Sequence, residues 1–174
     1  FTYILYADVV QELAKHNISL KFPKGMAVHI GGWKKLEIAK VDRATFNNGM
    51  SDRFGMDPSR VVDVYGFTEQ LGIIYSDCVQ GRKHCSIFSD VVVRDPTSLQ
   101  PVSDGETGLL EFITPLPSSY PGIAVVVDDI GRITHRGLCE CGRIGTAFEV
   151  LGRAKEAELR GCGDVMAETM AGGH

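Results

Sequence analysis

The first third of the chain alternates between helix-like and strand-like spacing of its apolar residues. Apolar side chains recur at helical spacing over residues 5–13, and Asn17 falls where a helix would stop. The pattern then predicts a short buried strand at Met26–Ile30, a helix over Asp42–Phe54 and a strand over Arg60–Tyr65. Two such helix–strand steps predict the end of a mostly parallel, helix-covered sheet.

The pattern changes after Glu69, where short apolar runs are separated by turns rich in Gly, Pro and Asp. This spacing predicts an antiparallel, barrel-like β lobe. The fold class is therefore α/β (mixed): the end of a helix-covered, mostly parallel sheet followed by a β-rich lobe. We expect three units, 1–70, 71–152 and a hinge with tail at 153–174. The predicted strands of the second unit are Ile73–Ser76, Ile87–Arg94, Leu109–Ile113, Ala124–Val127 and Ala147–Leu151.

Composition excludes several classes of protein. Of the 174 residues, 44% are hydrophobic and 23% are charged, which is ordinary for a globular domain. The net charge of −4 gives no support to a nucleic-acid partner. No apolar run approaches the ~20 residues that span a bilayer, so we expect no membrane partner. Because the chain begins at Phe1 within an amphipathic pattern, we expect a fragment of a longer polypeptide.

Five cysteines in a chain of cytosolic character predict metal or thiol chemistry rather than disulfides. The pairs Cys78-x5-His84 and Cys139-x-Cys141 offer thiolates and an imidazole, the donors that favour tetrahedral zinc. Four protein ligands leave no position for water, so such a site would be structural. Cys85 is an alternative ligand to His84, and four free buried cysteines are the alternative to a metal site.

The strand that ends at Tyr65 runs into Tyr65-Gly66-Phe67-Thr68-Glu69. This segment places an aromatic ring, a bare backbone, a hydroxyl and a carboxylate together, an assortment that suits a nucleotide with its Mg²⁺. A strand end with a surface glutamate is the alternative interpretation.

The glycine pair Gly31-Gly32 follows the predicted strand Met26–Ile30 and precedes Trp33-Lys34-Lys35. Glycines at a strand end let a ligand approach the backbone, although a tight turn explains them equally well. The order of motifs resembles the adenylate-forming superfamily of acyl/aryl-CoA ligases and luciferases, and the Gly-Gly-Trp-Lys-Lys phrase is similar to its acyl-protein synthetase (LuxE-type) branch. The motifs that carry the resemblance are, in order, residues 31–35, 65–69, 105–110, 119–121, 128–131 and 151–153.

The resemblance implies roles for individual residues of a nucleotide site. The implied roles are adenine stacking by Tyr65, backbone approach at Gly31, Gly32 and Gly66, phosphate binding by Thr68, Mg²⁺ binding by Glu69, ribose binding by Asp129 and contact near the ribose by Arg153. Asp128, adjacent to Asp129, is an alternative match for the ribose position.

The resemblance also supports the metal and thiol assignments. Similar members carry a Cys…His pair after the Tyr-Gly segment and a Cys-x-Cys-Gly-Arg run, here Cys139–Arg143. The acyl-protein synthetase branch is thought to hold its acyl group on a cysteine near the C-terminus, which matches Cys162. A thiolate attacks a mixed anhydride readily and remains a good leaving group. A surface thiol on a mobile tail is the alternative.

The expected function is ATP-dependent activation of a fatty or aromatic carboxylic acid as acyl-AMP, with transfer of the acyl group to Cys162. The expected cofactors are ATP/AMP, Mg²⁺ and structural Zn²⁺; an acyl reductase or acyl-carrier protein is the expected partner, and the cytoplasm the location. Glu156 replaces the family's hinge aspartate, and the family's phosphate loop and catalytic lid have no match, so we expect these residues alone to be inactive. The rival hypotheses are a phenylacetate-CoA-ligase-type enzyme and a non-catalytic zinc module.

Overall fold

Two β-sheets of different construction organise the protein in a computed structural model that describes residues 1–33 and 40–154. The first sheet has three strands in the order β1-β2-β3, and the second has five in the order β4-β8-β7-β6-β5. Helical segments precede β1 and connect β1 to β2. The predicted mixed α/β class is confirmed.

The strands are β1 (Ala27–Ile30), β2 (Val61–Tyr65), β3 (Tyr75–Ser76), β4 (Lys83–His84), β5 (Asp90–Arg94), β6 (Gly108–Ile113), β7 (Ala124–His135) and β8 (Ala147–Arg153). The helices are α1 (Thr2–Ile4), continued by a π-helical turn (Leu5–Val10) and α2 (Gln11–Lys15), and α3 (Arg43–Phe54). Short 3₁₀ turns occupy Pro58–Arg60 and Thr68–Gln70.

Helix α3 begins and ends as its sequence predicts. The carboxylate of Asp42 accepts a hydrogen bond from the backbone N–H of Thr45 at 2.8 Å, which satisfies a free donor of the first turn. Gly55 ends the helix in the left-handed conformation, with φ of 60°. The buried side chains Phe46 and Met50 pack in one hydrophobic cluster with residues from the N-terminal helical segment, including Val10.

The three-stranded sheet differs from the expectation in two ways. Strand β1 pairs with β2 in parallel, but β2 pairs with β3 in the antiparallel sense, so the described sheet is mixed rather than mostly parallel. The prediction of a buried strand at Met26–Ile30 is wrong for the described residues, because Val28 is 57% exposed and only His29 of β1 is buried. One apolar face of β1 lies open to solvent.

The five-stranded sheet is antiparallel throughout and open, with β4 and β5 at its edges, so the lobe is not a closed barrel. Strand β7 is much longer than the predicted strand Ala124–Val127, and the motif at residues 128–131 lies inside it. Gly131 belongs there because a side chain would collide with the neighbouring strand: an added Cβ would lie 2.3 Å from the carbonyl oxygen of Glu149. Packing, not turn geometry, requires this glycine.

A second hydrophobic cluster fills the space between the two sheets' inner faces, with Tyr75, Leu110, Phe112 and Phe148 among its fully buried members. Strand β3 pairs with β2 although it lies beyond the predicted boundary at residue 70. The division into 1–70, 71–152 and 153–174 remains a prediction. Within the described ranges, no helix has the length and apolar character needed to cross a membrane.

Candidate functional site

A cavity of about 810 Å³ opens where β1, β2 and β8 end. Its wall brings together residues that are far apart in the sequence and that the motifs single out. These are Gly31, Gly32, Tyr65, Gly66, Asp129 and Arg153. We refer to it below as the central cavity.

The glycine pair after β1 forms one edge of the central cavity. Gly31 has φ of 87°, a conformation that favours glycine, and its carbonyl oxygen accepts a hydrogen bond from the hydroxyl of Thr2 at 2.5 Å. A Cβ added at Gly32 would meet no atom within 4 Å. The backbone of this pair is therefore held in place while its surface stays open to a ligand.

Tyr65, Asp129 and Arg153 meet on the wall of the central cavity. The register of β7 and β8 pairs Asp129 with Arg153, whose Nε lies 3.6 Å from Oδ1 of Asp129. The hydroxyl of Tyr65 donates a hydrogen bond to Oδ2 of the same carboxylate at 2.5 Å. Of the two adjacent aspartates, the structure thus brings Asp129 to Tyr65, while Asp128 is exposed and lines a neighbouring smaller cavity.

The ring of Tyr65 belongs to the hydrophobic core as well as to the cavity wall. It stacks on Phe112, with ring centroids 5.5 Å apart and planes inclined by 29°. Burial, and then the charge of Asp129, raise the pKa of the Tyr65 hydroxyl well above its ordinary value. The hydroxyl therefore remains a hydrogen-bond donor at physiological pH and orients the carboxylate of Asp129.

Thr68 and Glu69 lie on an exposed 3₁₀ turn beside the central cavity rather than on its wall. Glu69 shares the smaller cavity, of about 110 Å³, with Asp129 and Arg153. The buried side chain of Gln70 anchors the turn, because its amide donates to the carbonyl oxygens of Phe112 and Gly122 at 3.3 and 3.1 Å. The carboxylate of Glu69 is thereby placed next to the Tyr65–Asp129–Arg153 group.

The second predicted constellation also comes together. The candidate ligand atoms of Cys78, His84, Cys139 and Cys141, the metal cluster, all lie within 4.8 Å of one another. Cys78 follows β3, His84 lies in β4, and the other two cysteines lie in the loop between β7 and β8. Ligand atoms around a tetrahedral zinc are about 3.5–3.8 Å apart, given Zn–S and Zn–N bonds of about 2.3 and 2.0 Å, so the cluster needs only small adjustments to hold the ion.

The chemistry of the metal cluster fits a zinc ion. Nε2 of His84 lies 3.6 Å from Sγ of Cys141, so the imidazole offers a nitrogen donor beside the three thiols. The pKa of the Cys139 thiol is lowered, chiefly by a hydrogen bond from the backbone N–H of Cys141 and also by Arg82, so the thiolate is accessible. Burial raises the pKa of Cys85 to about 12, and its side chain packs against the hydrophobic core instead of joining the cluster.

A charged network that the sequence motifs did not single out lines the central cavity. His29 has no evident partner in the sequence, but in the structure its side chain is buried. Its Nδ1 lies 2.9 Å from the hydroxyl of Thr2 and 3.4 Å from the carboxylate of Asp63. The ammonium of Lys83 bridges Asp63 and Asp77 at 2.8 and 3.0 Å. Asp63, a lone charge inside the apolar strand β2, is the sequence signal for this network. The network comprises His29, Arg43, Asp63, Asp77 and Lys83.

Several predicted features lie outside the described residues. Cys162, the expected acyl acceptor, is one of them, and Lys34, Lys35 and Glu156 are the others. The four cysteines within the described ranges are free thiols.

The solved structures that resemble this chain define a class. The chain aligns over 88% of its length, at a TM-score of 0.56 and 14% identity, with 29% of McyG A-PCP complexed with phenylalanyl-adenylate. It aligns over 85% of its length, also at 0.56 and 14%, with 32% of a long-chain-fatty-acid-CoA ligase from Archaeoglobus fulgidus. The fold is that of the adenylate-forming ligases. Within that class, the sequence model of the acyl-protein synthetase LuxE family matches residues 1–171, and the chain belongs to this family.

Curated relatives agree with this assignment. A long-chain-fatty-acid–luciferin-component ligase of Aliivibrio fischeri is 32% identical over 98% of this chain and 44% of its own length. Its counterpart in Vibrio harveyi is 28% identical over 79% of this chain and 35% of its own length. A phenylacetate-coenzyme A ligase of Thermus thermophilus is 28% identical over 54% of this chain and 22% of its own length. The chain spans less than half the length of each of these relatives.

Proposed function

We propose that this chain forms part of an ATP-dependent ligase that activates a fatty acid as its acyl adenylate. The observation that carries the proposal is the group formed by Tyr65, Asp129 and Arg153 on the wall of the central cavity, which Gly31 and Gly32 also line. A carboxylate is a good anchor for a ribose because it accepts hydrogen bonds from both hydroxyls. Asp129 has this chemistry, and the Tyr65 hydroxyl holds it in place.

The proposed reaction has two steps. In the first, an oxygen of the fatty acid carboxylate bonds to the α-phosphorus of ATP, and the bond to the leaving oxygen of pyrophosphate breaks. Glu69 would hold Mg²⁺ with Thr68 beside it, and the ion would offset the charge of the phosphates. The fixed charge of Arg153 suits the ribose and α-phosphate region. Catalysis then rests on positioning and charge stabilisation.

In the second step the thiolate of Cys162 attacks the acyl carbonyl carbon, a thioester forms, and AMP leaves with the electrons of the broken anhydride bond. The names of the Aliivibrio and Vibrio relatives favour a long-chain fatty acid as the substrate. The thioester would deliver the acyl group to an acyl reductase or acyl-carrier partner, and the cytoplasm is the compartment we expect for a protein with free thiols.

Zinc has a structural part in this proposal. Cys78, His84, Cys139 and Cys141 would hold the ion, and their four donors leave no coordination position for a substrate. The ion would tie the turn after β3 and strand β4 to the loop between β7 and β8.

A CoA ligase is the second candidate, favoured by the match to the phenylacetate-coenzyme A ligase of Thermus thermophilus. There the thiol of CoA, not Cys162, would take the acyl group. A zinc-stabilised module without catalysis is the third candidate, and it predicts metal binding without nucleotide binding.

The experiment uses the full product of the gene that encodes this chain. It is incubated with ATP, Mg²⁺ and a long-chain fatty acid, and its intact mass is recorded beside that of Cys162→Ser and of a matched Cys85→Ser control. We expect one added acyl group in the parent and the control and none in Cys162→Ser. Pyrophosphate release that requires CoA, without a mass gain, would favour the CoA ligase. Absence of both, together with zinc in the protein, would favour the module.

A further inference from the structure

The metal cluster and the central cavity both adjoin one antiparallel bridge, which joins Asp77, directly after β3, to Lys83 of β4. Asp77 and Lys83 face each other in an antiparallel bridge, and each is followed by a metal-cluster residue, Cys78 or His84. Successive side chains of a strand point to opposite faces. Asp77 and Lys83 accordingly line the cavity, while the next residue of each pair belongs to the cluster.

The side chain of Lys83 is almost fully enclosed among carboxylates. It is 9% exposed, that of Asp77 is 7% exposed, and that of Asp63 is 35% exposed where it lines the central cavity. The ammonium lies 2.8 Å from the carboxylate of Asp63 and 3.0 Å from that of Asp77. Removing one partner of a buried ion pair leaves an uncompensated charge, so the position of Asp63 depends on Lys83.

The position of Asp63, which depends on Lys83, affects the surface that a ligand in the central cavity would contact. Asp63 lies in β2 two residues before Tyr65, on the same side of the strand, and both residues line the central cavity. A displacement of its carboxylate therefore changes the surface that a bound nucleotide would meet.

We propose that Lys83 is a positioning residue of the nucleotide site. A metal bound by the adjacent His84 would fix the position of Lys83, and the ammonium of Lys83 in turn fixes the carboxylate of Asp63 at the cavity wall. This inference rests on the proposed nucleotide binding and adds a dependence: a metal that touches no part of the central cavity sets the affinity of the cavity for an adenine nucleotide. No metal-cluster residue lines that cavity.

A second connection runs through Arg43 and must be separated from the first. Its guanidinium donates to the carbonyl oxygen of Cys78 at 3.0 Å and lies 3.6 Å from Asp77. Arg43 begins α3, whose Phe46 packs edge-on against Trp33 in the cavity wall. Trp33 is the chain's one tryptophan and is buried, so its fluorescence reports on this wall.

The test titrates AMP calorimetrically into the zinc-loaded and zinc-stripped forms of the 174-residue chain. In the parent we expect zinc removal to weaken AMP binding about fivefold or more, the range of ordinary site-to-site coupling. Lys83→Met should bind AMP weakly in both forms, with a zinc effect below about twofold. Lys15→Met, which removes an exposed lysine far from the cavity, should behave as the parent. An equal zinc effect in the parent and in Lys83→Met would overturn the proposal.

A second measurement serves if the stripped chain does not fold, because it uses only the zinc-loaded form. Lys83→Met and Asp63→Asn should weaken AMP binding by similar factors, and the double variant should bind no more weakly than either single variant. Independent roles of the two residues in binding predict effects that multiply, and a role in stability alone predicts no change in affinity; either result would overturn the proposal.

Failure of the nucleotide proposal itself gives a different result. If no form binds AMP, the emission of Trp33 is followed during zinc addition in the parent and in Lys83→Met. A shift in the parent that Lys83→Met lacks supports the connection through Lys83 while rejecting the nucleotide site. The same shift in both proteins overturns the connection.

Discussion

The metal cluster and the central cavity both adjoin the bridge between Asp77 and Lys83, but they are built differently. The cluster brings four soft donors within 4.8 Å of one another, so an ion there would be enclosed by protein ligands alone. The cavity encloses about 810 Å³ and spaces its polar groups along a wall, which leaves room for a ligand. This difference is the basis of our proposal that the first site stabilises the fold and that the second carries out the chemistry.

Loss of a metal ligand should produce the largest effect. Cys139→Ser replaces a fully buried thiol, and we expect it to abolish stoichiometric zinc binding. Because structural zinc contributes folding free energy directly, the free energy of unfolding should fall by about 3 kcal/mol or more, or about 6–12 °C in the thermal midpoint. Metal analysis by mass spectrometry and a thermal melt check both expectations.

Cys85→Ala is the matched control for this change. Cys85 is adjacent to His84 but packs against the core, so the variant should lose some stability and retain one zinc per chain. Zinc loss in Cys85→Ala with retention in His84→Ala would contradict the assignment of the fourth ligand.

A smaller effect, confined to ligand binding, is expected at the cavity. Asp129→Asn keeps an acceptor for the Tyr65 hydroxyl but removes the negative charge that would face the ribose. Loss of charge-assisted hydrogen bonds costs about 1.5–3 kcal/mol, which corresponds to roughly 10–100-fold weaker ATP binding. Isothermal titration calorimetry measures it, and zinc content should not change.

Asp128→Asn provides the comparison within the same strand. Asp128 is exposed and does not line the central cavity, so its substitution should alter ATP affinity by less than about twofold. A stronger effect on ATP affinity at Asp128 than at Asp129 would assign ribose binding to Asp128 instead.

The smallest predicted effect concerns the pH dependence of stability. Burial raises the pKa of Tyr65 above its usual value of about 10, so above that pH the unfolded chain loses a proton that the folded chain retains. This contribution to stability is complete below pH 10 and is lost as the pH rises further. Tyr65→Phe should cost about 1 kcal/mol at pH 8 through its hydrogen bond and should flatten the decline between pH 9 and 11. Urea unfolding at several pH values compares the two slopes.

Much of the fold follows from local pattern, and the differences have physical causes. Helix α3 was predictable because Asp42 and Gly55 mark its ends by capping chemistry. The full length of β7 was not, because the apolar run ends at Val127 and two aspartates follow, whereas pairing with β6 and β8 continues the strand to His135. Tertiary pairing overrides local preference there.

The candidate sites likewise include residues that the sequence indicated and residues that only the folded structure brings to notice. The sequence pointed to the four residues of the metal cluster, with Cys85 left open as an alternative to His84, through their donor chemistry and the family resemblance, and the structure brings these four together. The network around Lys83 was not predictable, because a lysine and two aspartates are usually surface residues, and only the folded chain encloses them. The isolated charge of Asp63 within β2 was the available signal.

The most direct test is a crystal structure of the chain grown with AMP and zinc, with diffraction data collected at the zinc absorption edge. We predict AMP in the central cavity with its ribose against Asp129, and one anomalous peak among Cys78, His84, Cys139 and Cys141. A zinc peak elsewhere would contradict the assignment of the metal cluster as a structural site. A central cavity without AMP at a saturating concentration would contradict its assignment as the nucleotide site.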